Sequence, residues 1–406
     1  MMYEVVVVGA GPAGSTAAKV LAEKGVKVLL IDKSKFPRDK PCGGGLPFRV
    51  YKRFPYIEDK NLIESYSYGG FAHSPSLKYS AVIEKNDPFV GMVIRKKFDN
   101  ELVKIAVDSG ADFIGGKAVE DIEISGDEAK LILDDKKEIH SELVIGADGP
   151  WSILAKKSGL IPQAGRRIAI CVLKEYKVGE KIINQFFDER KICHMHLKFQ
   201  GTFGYGWVFP KKQHLNIGVG NVISYTKYSK TKINLSHAYR EYLNFLKKNK
   251  MIPDGLEAGN CKGGALHIGP LEKTYSNRVL ICGDAAGFIN SLTGEGIYYA
   301  MSSGEIAANV AAESIKAGDT SEKFLSIYQK KWKNDFGKDL DEFLRMHMYV
   351  GKNMEKFVRF ASKDKKLADV ALGILHGELG VRDHKMELTY RVLINSFKDV
   401  FRINVE

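Results

Sequence analysis

Gly9-Ala10-Gly11-Pro12-Ala13-Gly14 is the stretch of this sequence best suited to chemistry. Glycines at this spacing permit a tight turn and let backbone N–H groups approach a pyrophosphate. Asp32 closes the next apolar run, where its carboxylate can accept hydrogen bonds from a ribose hydroxyl pair. Two further acids end apolar runs beside glycines: Asp148 in Gly146-Ala147-Asp148-Gly149, and Asp284 in Gly283-Asp284-Ala285-Ala286. Glu295 stands between Gly294 and Gly296 at the start of a helix-like run. There it can cap the helix or relay a proton. Cys42 lies in Pro41-Cys42-Gly43-Gly44-Gly45-Leu46, a loop too rich in proline and glycine for a regular element. Its thiol is either redox-active or a small residue kept for close packing. Phe203, Tyr205, Trp207 and Phe209 alternate with two glycines and a valine. Strand alternation places the four aromatics on one face, as a core-facing surface or as an apolar wall for a ligand.

The elements that must position these residues follow from the pattern. Tyr3–Val8 reads as a strand, Ser15–Glu23 as a helix and Val26–Ile31 as a second strand. This strand–turn–helix–strand–acid order is that of a dinucleotide site. Residues 50–90 alternate short apolar runs with turn residues and read as β-structure. A helix begins at Arg95, with Phe98, Leu102, Ile105 and Ala106 at helical spacing. Residues 111–133 read as strands around a Ser125-Gly126-Asp127 turn. Residues 166–260 are mostly β-like, with a helical insertion near 234–248. The nucleotide pattern returns at Arg278–Asp284, and a helix follows from Gly296 to Ile315. The remainder reads as amphipathic helices. The fold class expected is α/β plus α+β. A Rossmann-type domain (1–165, returning at 263–315) interleaves with a β-rich substrate domain (166–262) and a C-terminal helical region (316–406).

Composition narrows the class. The chain has 406 residues and is 44% hydrophobic, enough for two cores. No run approaches the ~20 apolar residues of a membrane span. Val5–Val8 lacks the basic flank and cleavage site of a signal peptide, so it reads as a buried strand and the protein is expected to be cytoplasmic. The five cysteines, Cys42, Cys171, Cys193, Cys261 and Cys282, show no metal-ligand spacing, and no metal is expected. A net charge of +12 suits an acidic partner or an anionic lipid surface, or is a solvated lysine face. No nucleic-acid motif accompanies it.

Taken together, Gly9–Gly14 with Asp32, Arg95 with Phe98-Asp99, Gly146–Gly149, and Gly283–Ala286 with Gly294–Gly296 resemble the FAD-binding framework of aromatic hydroxylases, flavin halogenases and geranylgeranyl reductases. Pro41–Leu46 and Tyr205-Gly206-Trp207-Val208-Phe209-Pro210 are most similar to the geranylgeranyl reductase branch, whose motif is P-x-x-Y-x-W-x-F-P. Thr202 stands in place of its first proline. Ser291 replaces a proline of the hydroxylases. Gly287 stands where hydroxylases and halogenases carry a histidine or arginine, and no halogenase-type lysine is evident.

The resemblance implies FAD as cofactor. Gly9, Gly11, Ala13 and Gly14 would hold its pyrophosphate and Asp32 its ribose. Cys42, Gly43 and Gly45 would line the flavin. Arg95 would touch the phosphate or ribitol, Val119 the adenine and Asp284 the ribitol. Gly296 and Ile297 would offer N–H groups to the ring. The implied reaction is saturation of geranylgeranyl C=C bonds in archaeal-type ether phospholipid precursors. Tyr205, Trp207 and Phe209 would line the polyprenyl site, and Cys42, Tyr205 and Glu295 are candidate proton donors. The absence of a second glycine-turn unit leaves NAD(P)H docking transiently or a ferredoxin as electron source. Phe343, Met346, Met348, Tyr349, Val350, Met354 and Phe357 either pack against the substrate domain or roof the substrate tunnel and touch the bilayer, as a peripheral contact at the inner membrane face. The competing functions are a flavin monooxygenase or halogenase of an aromatic compound, and an electron-transfer flavoprotein.

Overall fold

A computed structural model describes residues 2–162, 167–223 and 233–400. Packing divides the chain into two units. The first takes residues up to Lys40, Arg95 to Arg167 and Leu266 to Asp341; the second takes Pro41 to Ile94, Ile168 to Ala265 and the chain from Glu342.

The first unit is built on a sheet whose central strands are buried. Val5, Val6 and Val7 are wholly enclosed, as are Leu29, Leu30 and Ile31. Strands apolar on both faces suit a parallel sheet covered on both sides. Met2–Val8 pairs in parallel with Val28–Asp32 on one side and with Glu138–Gly146 on the other. Asp112–Gly115 extends the sheet beyond Val28–Asp32, and Val279–Ile281 extends it beyond Glu138–Gly146. Val119–Ile124 and Ala129–Leu133 form an antiparallel extension from Glu138–Gly146. The turn between these last two closes through Ser125 N–H to Glu128 C=O, 2.9 Å. The helix Pro12–Glu23 has proline in its first turn, where the missing N–H costs nothing. It packs against the long helix Ile297–Ala317.

The second unit holds a seven-stranded sheet in the order Lys262–Ile268, Arg167–Lys177, His214–Val222, Tyr205–Pro210, Cys193–Leu197, Gly69–His73, Ser80–Glu84. One face packs on the helix Leu235–Lys248, whose Tyr239, Tyr242, Leu243 and Leu246 are buried with Val208, Leu215, Ile217 and Val219. Between residues 48 and 59 the chain is helical, not extended: Phe48–Arg53 and Tyr56–Asp59 each begin directly after a proline, Pro47 and Pro55. Each proline occupies the cap position, where it has no N–H to donate to a strand ladder and so cannot carry extended pairing onward. The strands expected in 50–90 follow at Ser65–Ser67, Gly69–His73, Ser80–Glu84 and Val90–Met92. Helices Lys338–Ala361, Lys365–Leu375 and Val381–Val400 complete the described chain. Phe343 is buried, and the side chains of Met348, Tyr349 and Val350 lie outside the described residues.

Candidate functional site

In the first unit the glycine turn is held by backbone and acid together. Gly9 adopts φ +101°, a conformation that favours glycine, and its N–H donates to Ile31 C=O at 2.7 Å. Asp32 accepts from Ala10 N–H through Oδ2 (2.7 Å) and from Ser34 N–H through Oδ1 (2.8 Å). Its carboxylate is therefore fixed at the mouth of the turn, with lone pairs to spare. The helix that follows starts at Gly11 with no side-chain cap and no acid in its first turn. A side chain at Gly11 would meet only the Arg38 guanidinium, 3.7 Å away. Arg38 stacks over Phe36 (4.9 Å to the ring centre) and pairs with Asp99, Nη1 to Oδ2 3.0 Å. Asp99 is fully buried and also grips Arg95 through two bonds, Nε to Oδ1 2.6 Å and Nη2 to Oδ2 2.8 Å. One buried carboxylate thus holds two guanidiniums, and one of these lies over the glycine turn.

The same unit carries the other acids. Asp148 Oδ2 accepts Ile153 and Leu154 N–H at 2.8 and 3.3 Å, and burial pushes its carboxyl up. Asp284 lies in the short helix Gly283–Ala286; a Cβ at Gly296 would stand 3.4 Å from its Oδ1. Glu295 Oε1 accepts Tyr298 N–H at 2.7 Å and so caps the helix Ile297–Ala317. In the loop between them, Asn290 Oδ1 accepts Leu292 and Thr293 N–H, while Asn290 Nδ2 and Ser291 Oγ are buried without a hydrogen-bond partner. Buried polar atoms left unpaired usually await a ligand or water.

In the second unit the Cys42–Gly45 loop lies on the aromatic strand. Tyr205–Pro210 brings Tyr205, Trp207 and Phe209 into one row, with ring centres 5.7 and 6.3 Å apart. Phe203 precedes the strand, and Lys198 Nζ stands 5.4 Å from its ring centre. The opposite face is cleared for the core: a side chain at Gly206 would meet the Tyr242 ring at 2.7 Å. A Cβ at Gly43 would stand 2.8 Å from Phe209 and 3.6 Å from the Trp207 indole nitrogen. Trp207 donates to Asn216 Oδ1 (2.8 Å), and Asn216 Nδ2 donates to Cys42 C=O (3.1 Å). Gly44 N–H donates to Cys42 Sγ at 3.4 Å. Burial pushes the Tyr205 hydroxyl up, with the Cys171 and Cys42 thiols adding to the effect, so it stays protonated at neutral pH.

A second cluster occupies strands Gly69–His73 and Cys193–Leu197. His73 stacks on His196 (4.3 Å) and His194 (5.3 Å), and His73 Nε2 meets His194 Nδ1 at 3.0 Å. Ser80 and Tyr242 hydroxyls satisfy His73 and His196 at 2.7 Å each. Burial lowers His73 and His194 to about 4 and His196 to about 2.

Comparison with known proteins places these arrangements in a family. The FAD binding domain family model matches residues 2–335. Digeranylgeranylglycerophospholipid reductase of Methanocaldococcus jannaschii is 33% identical over 374 residues, covering 87% of this chain and 87% of that one. The enzyme of the same name from Methanosarcina mazei is 35% identical over 350 residues, covering 84% and 82%. The chain belongs to the geranylgeranyl reductase family of FAD-binding proteins. Among solved structures, a geranylgeranyl bacteriochlorophyll reductase-like protein from Thermoplasma acidophilum shares the fold, with TM-score 0.79, 23% identity and 95% and 98% of the two chains covered. A flavin-dependent brominase shares it at TM-score 0.74 and 21% identity, covering 93% and 94%.

The first unit fits the family's FAD: an acid-free helix start, an open position at Gly11, an oriented Asp32 and a cation at Arg38 suit an anionic dinucleotide. Gly9, Gly11, Ala13, Gly14, Asp32, Arg95, Val119, Asp284, Gly296 and Ile297 all lie in this unit. Cys42, Gly43, Gly45, Tyr205, Trp207 and Phe209 lie in the second, where loop and strand are in contact. Reading the sequence singled out neither Arg38, nor Lys211, Glu175 and Asn216, nor the histidine cluster. Among the described residues no helix is long and apolar enough to cross a membrane.

Proposed function

We propose that this geranylgeranyl reductase family member saturates C=C bonds in the geranylgeranyl chains of archaeal-type ether phospholipid precursors. The observation that carries the reading is the Cys42–Gly45 loop seated on Trp207 and Phe209, which joins both family-specific motifs in one surface of the second unit. The names of the relatives support it. A polyprenyl chain offers no charge to grip, so its affinity comes from burial, about 0.8 kcal/mol per CH₂. Tyr205, Trp207 and Phe209 supply such a surface.

FAD supplies the hydride when bound. The chain's own residues bind it, exclude water and hold a proton. Gly9, Gly11, Ala13, Gly14 and Asp32 hold the nucleotide, with Arg38 as an added cation; Arg95, Val119, Asp284, Gly296 and Ile297 complete that role. Tyr205 and Cys42 are the proton donors favoured here, Tyr205 because its hydroxyl remains protonated among apolar groups. Glu295 serves as the helix cap, since Oε1 already accepts a backbone N–H. NAD(P)H or an acidic ferredoxin delivers electrons, the latter favoured by the +12 charge. Contact with the lipid surface falls on the helix Val381–Val400, where Met386, Tyr390 and Leu393 are 83%, 64% and 63% exposed.

The test is anaerobic incubation of the dithionite-reduced protein with a digeranylgeranyl glycerophospholipid. Mass gains in steps of two hydrogens are expected. No gain, or an aromatic product carrying new oxygen or halogen under air, overturns the reading.

A further inference from the structure

Lys211 directly follows the aromatic strand Tyr205–Pro210 and is completely buried. A lone buried ammonium is costly, so its partners matter. Nζ donates to Glu175 Oε2 at 2.8 Å and to Val93 C=O at 2.9 Å. The same Glu175 oxygen accepts Asn216 Nδ2 at 2.9 Å. Asn216 spends its other N–H on Cys42 C=O and its oxygen on the Trp207 indole. Val93 N–H donates to Gly44 C=O at 2.8 Å. Gly44 itself sits at φ +77°, and a Cβ there would stand 2.9 Å from Lys211 Nζ. The Cys42–Gly44 segment is therefore tied at both ends to one polar network under the sheet face.

Apolar packing holds loops at no desolvation cost, and a buried ion pair is often no better for stability than hydrophobic side chains of the same volume. What the pair adds is direction: each bond fixes one atom of the loop. We propose that Lys211, with Glu175 and Asn216, is a positioning residue that holds the Cys42 loop in place and thereby limits access to the Cys42 thiol. The inference rests on the proposed reduction only for the loop's chemical purpose.

The test is the rate at which iodoacetamide alkylates Cys42 in the FAD-loaded protein, followed by peptide mass spectrometry across the thiol titration. Cys261, whose Sγ bonds to Ala258 C=O at 2.8 Å, is the internal reference. The double variant Glu175→Gln/Lys211→Met removes both charges together and leaves the net charge beside the loop unchanged. Its plateau rate should rise about tenfold, the equivalent of one lost hydrogen bond. Asn216→Leu leaves the ion pair but cuts the tie to Cys42, and should raise the plateau in the same sense; it decides the matter if the double variant does not fold. An unchanged Cys42 plateau, or Cys42 and Cys261 accelerating together, overturns the proposal. Failure of lipid reduction with the Cys42 effect intact overturns only the function proposed above.

Discussion

The glycine turn of the first unit and the sheet face of the second hold polar groups by opposite means. At the turn, Asp32 takes up backbone N–H groups of Ala10 and Ser34, and the charges nearby, Arg38 and Arg95, hang on one acid, Asp99. At the sheet face, side chains satisfy side chains: Trp207, Asn216, Glu175 and Lys211 bond in series. The first arrangement leaves the start of the helix Pro12–Glu23 without a side-chain cap, open to a ligand. The second exposes none and fixes a loop. A site that must welcome an anion keeps its N–H groups unpaired, whereas a site that must stay dry pairs every donor it can.

The largest effects should come from breaking each unit's ion pair. Asp99→Ala strands two guanidiniums whose side chains are 10% and 16% exposed, and Glu175→Gln strands Lys211 at 1%. Each should cost about 3 kcal/mol in urea unfolding. The comparison is sharpened by adding FAD: it should recover part of the Asp99→Ala loss, because an anionic ligand answers the freed cations, and a smaller part of the Glu175→Gln loss. Equal recovery would erase the distinction drawn here.

The histidine cluster gives the next effect. In the unfolded chain these groups titrate near the ordinary histidine value of about 6.5, and in the folded chain burial lowers His73 and His194 to about 4. A depressed pKa means the unfolded state binds more protons between those values, so stability falls as pH drops from 6.5 toward 4 and is full above 6.5. Each pH unit is worth up to about 1.4 kcal/mol per histidine. Urea midpoints measured at successive pH values should fall through this window, and His73→Phe should flatten the fall. A variant curve parallel to the wild type would remove the cluster as its cause.

How much was legible in the sequence follows the same division. Gly9–Gly14, Asp32 and the cap at Glu295 could be read because backbone geometry depends on neighbours along the chain. The resemblance put the Cys42 loop along the flavin and the aromatic strand at the lipid, but neither it nor the spacing foretold that loop and strand touch. Arg38 escaped notice although it stands close to Asp32, since nothing local says that Phe36–Arg38 folds back over Gly11. Lys211, Glu175 and Asn216 meet across strands, and only register brings them together: Glu175 faces Asn216 on adjacent strands. The one available signal was polarity out of place, an asparagine amid Leu215, Ile217 and Val219. The strand that carries the row starts at Tyr205, so Phe203 stands just ahead of it.

A smaller effect tests the openness of the turn. A Cβ at Gly11 meets only the flexible end of Arg38 at 3.7 Å, so Gly11→Ala should leave stability within about 0.5 kcal/mol. FAD, however, needs the backbone itself at close range, and affinity measured by quenching of flavin fluorescence should fall about tenfold, or ~1.4 kcal/mol. A stable variant with unchanged affinity would place the pyrophosphate elsewhere.

The smallest effect probes the sheet face without touching its charges. Trp207→Phe keeps an aromatic ring in the row but removes the N–H that Asn216 accepts. Asn216 Oδ1 is then buried without a donor, while its amide still reaches Cys42 and Glu175. The loss should be about 1 kcal/mol, that of one hydrogen bond in a network otherwise intact. Because Asn216 lies between the indole and the loop, the same variant should loosen Cys42 less than Asn216→Leu does. If Trp207→Phe loosened it equally, the indole rather than the Lys211–Glu175 pair would orient Asn216, and the polar network would be read from its aromatic end.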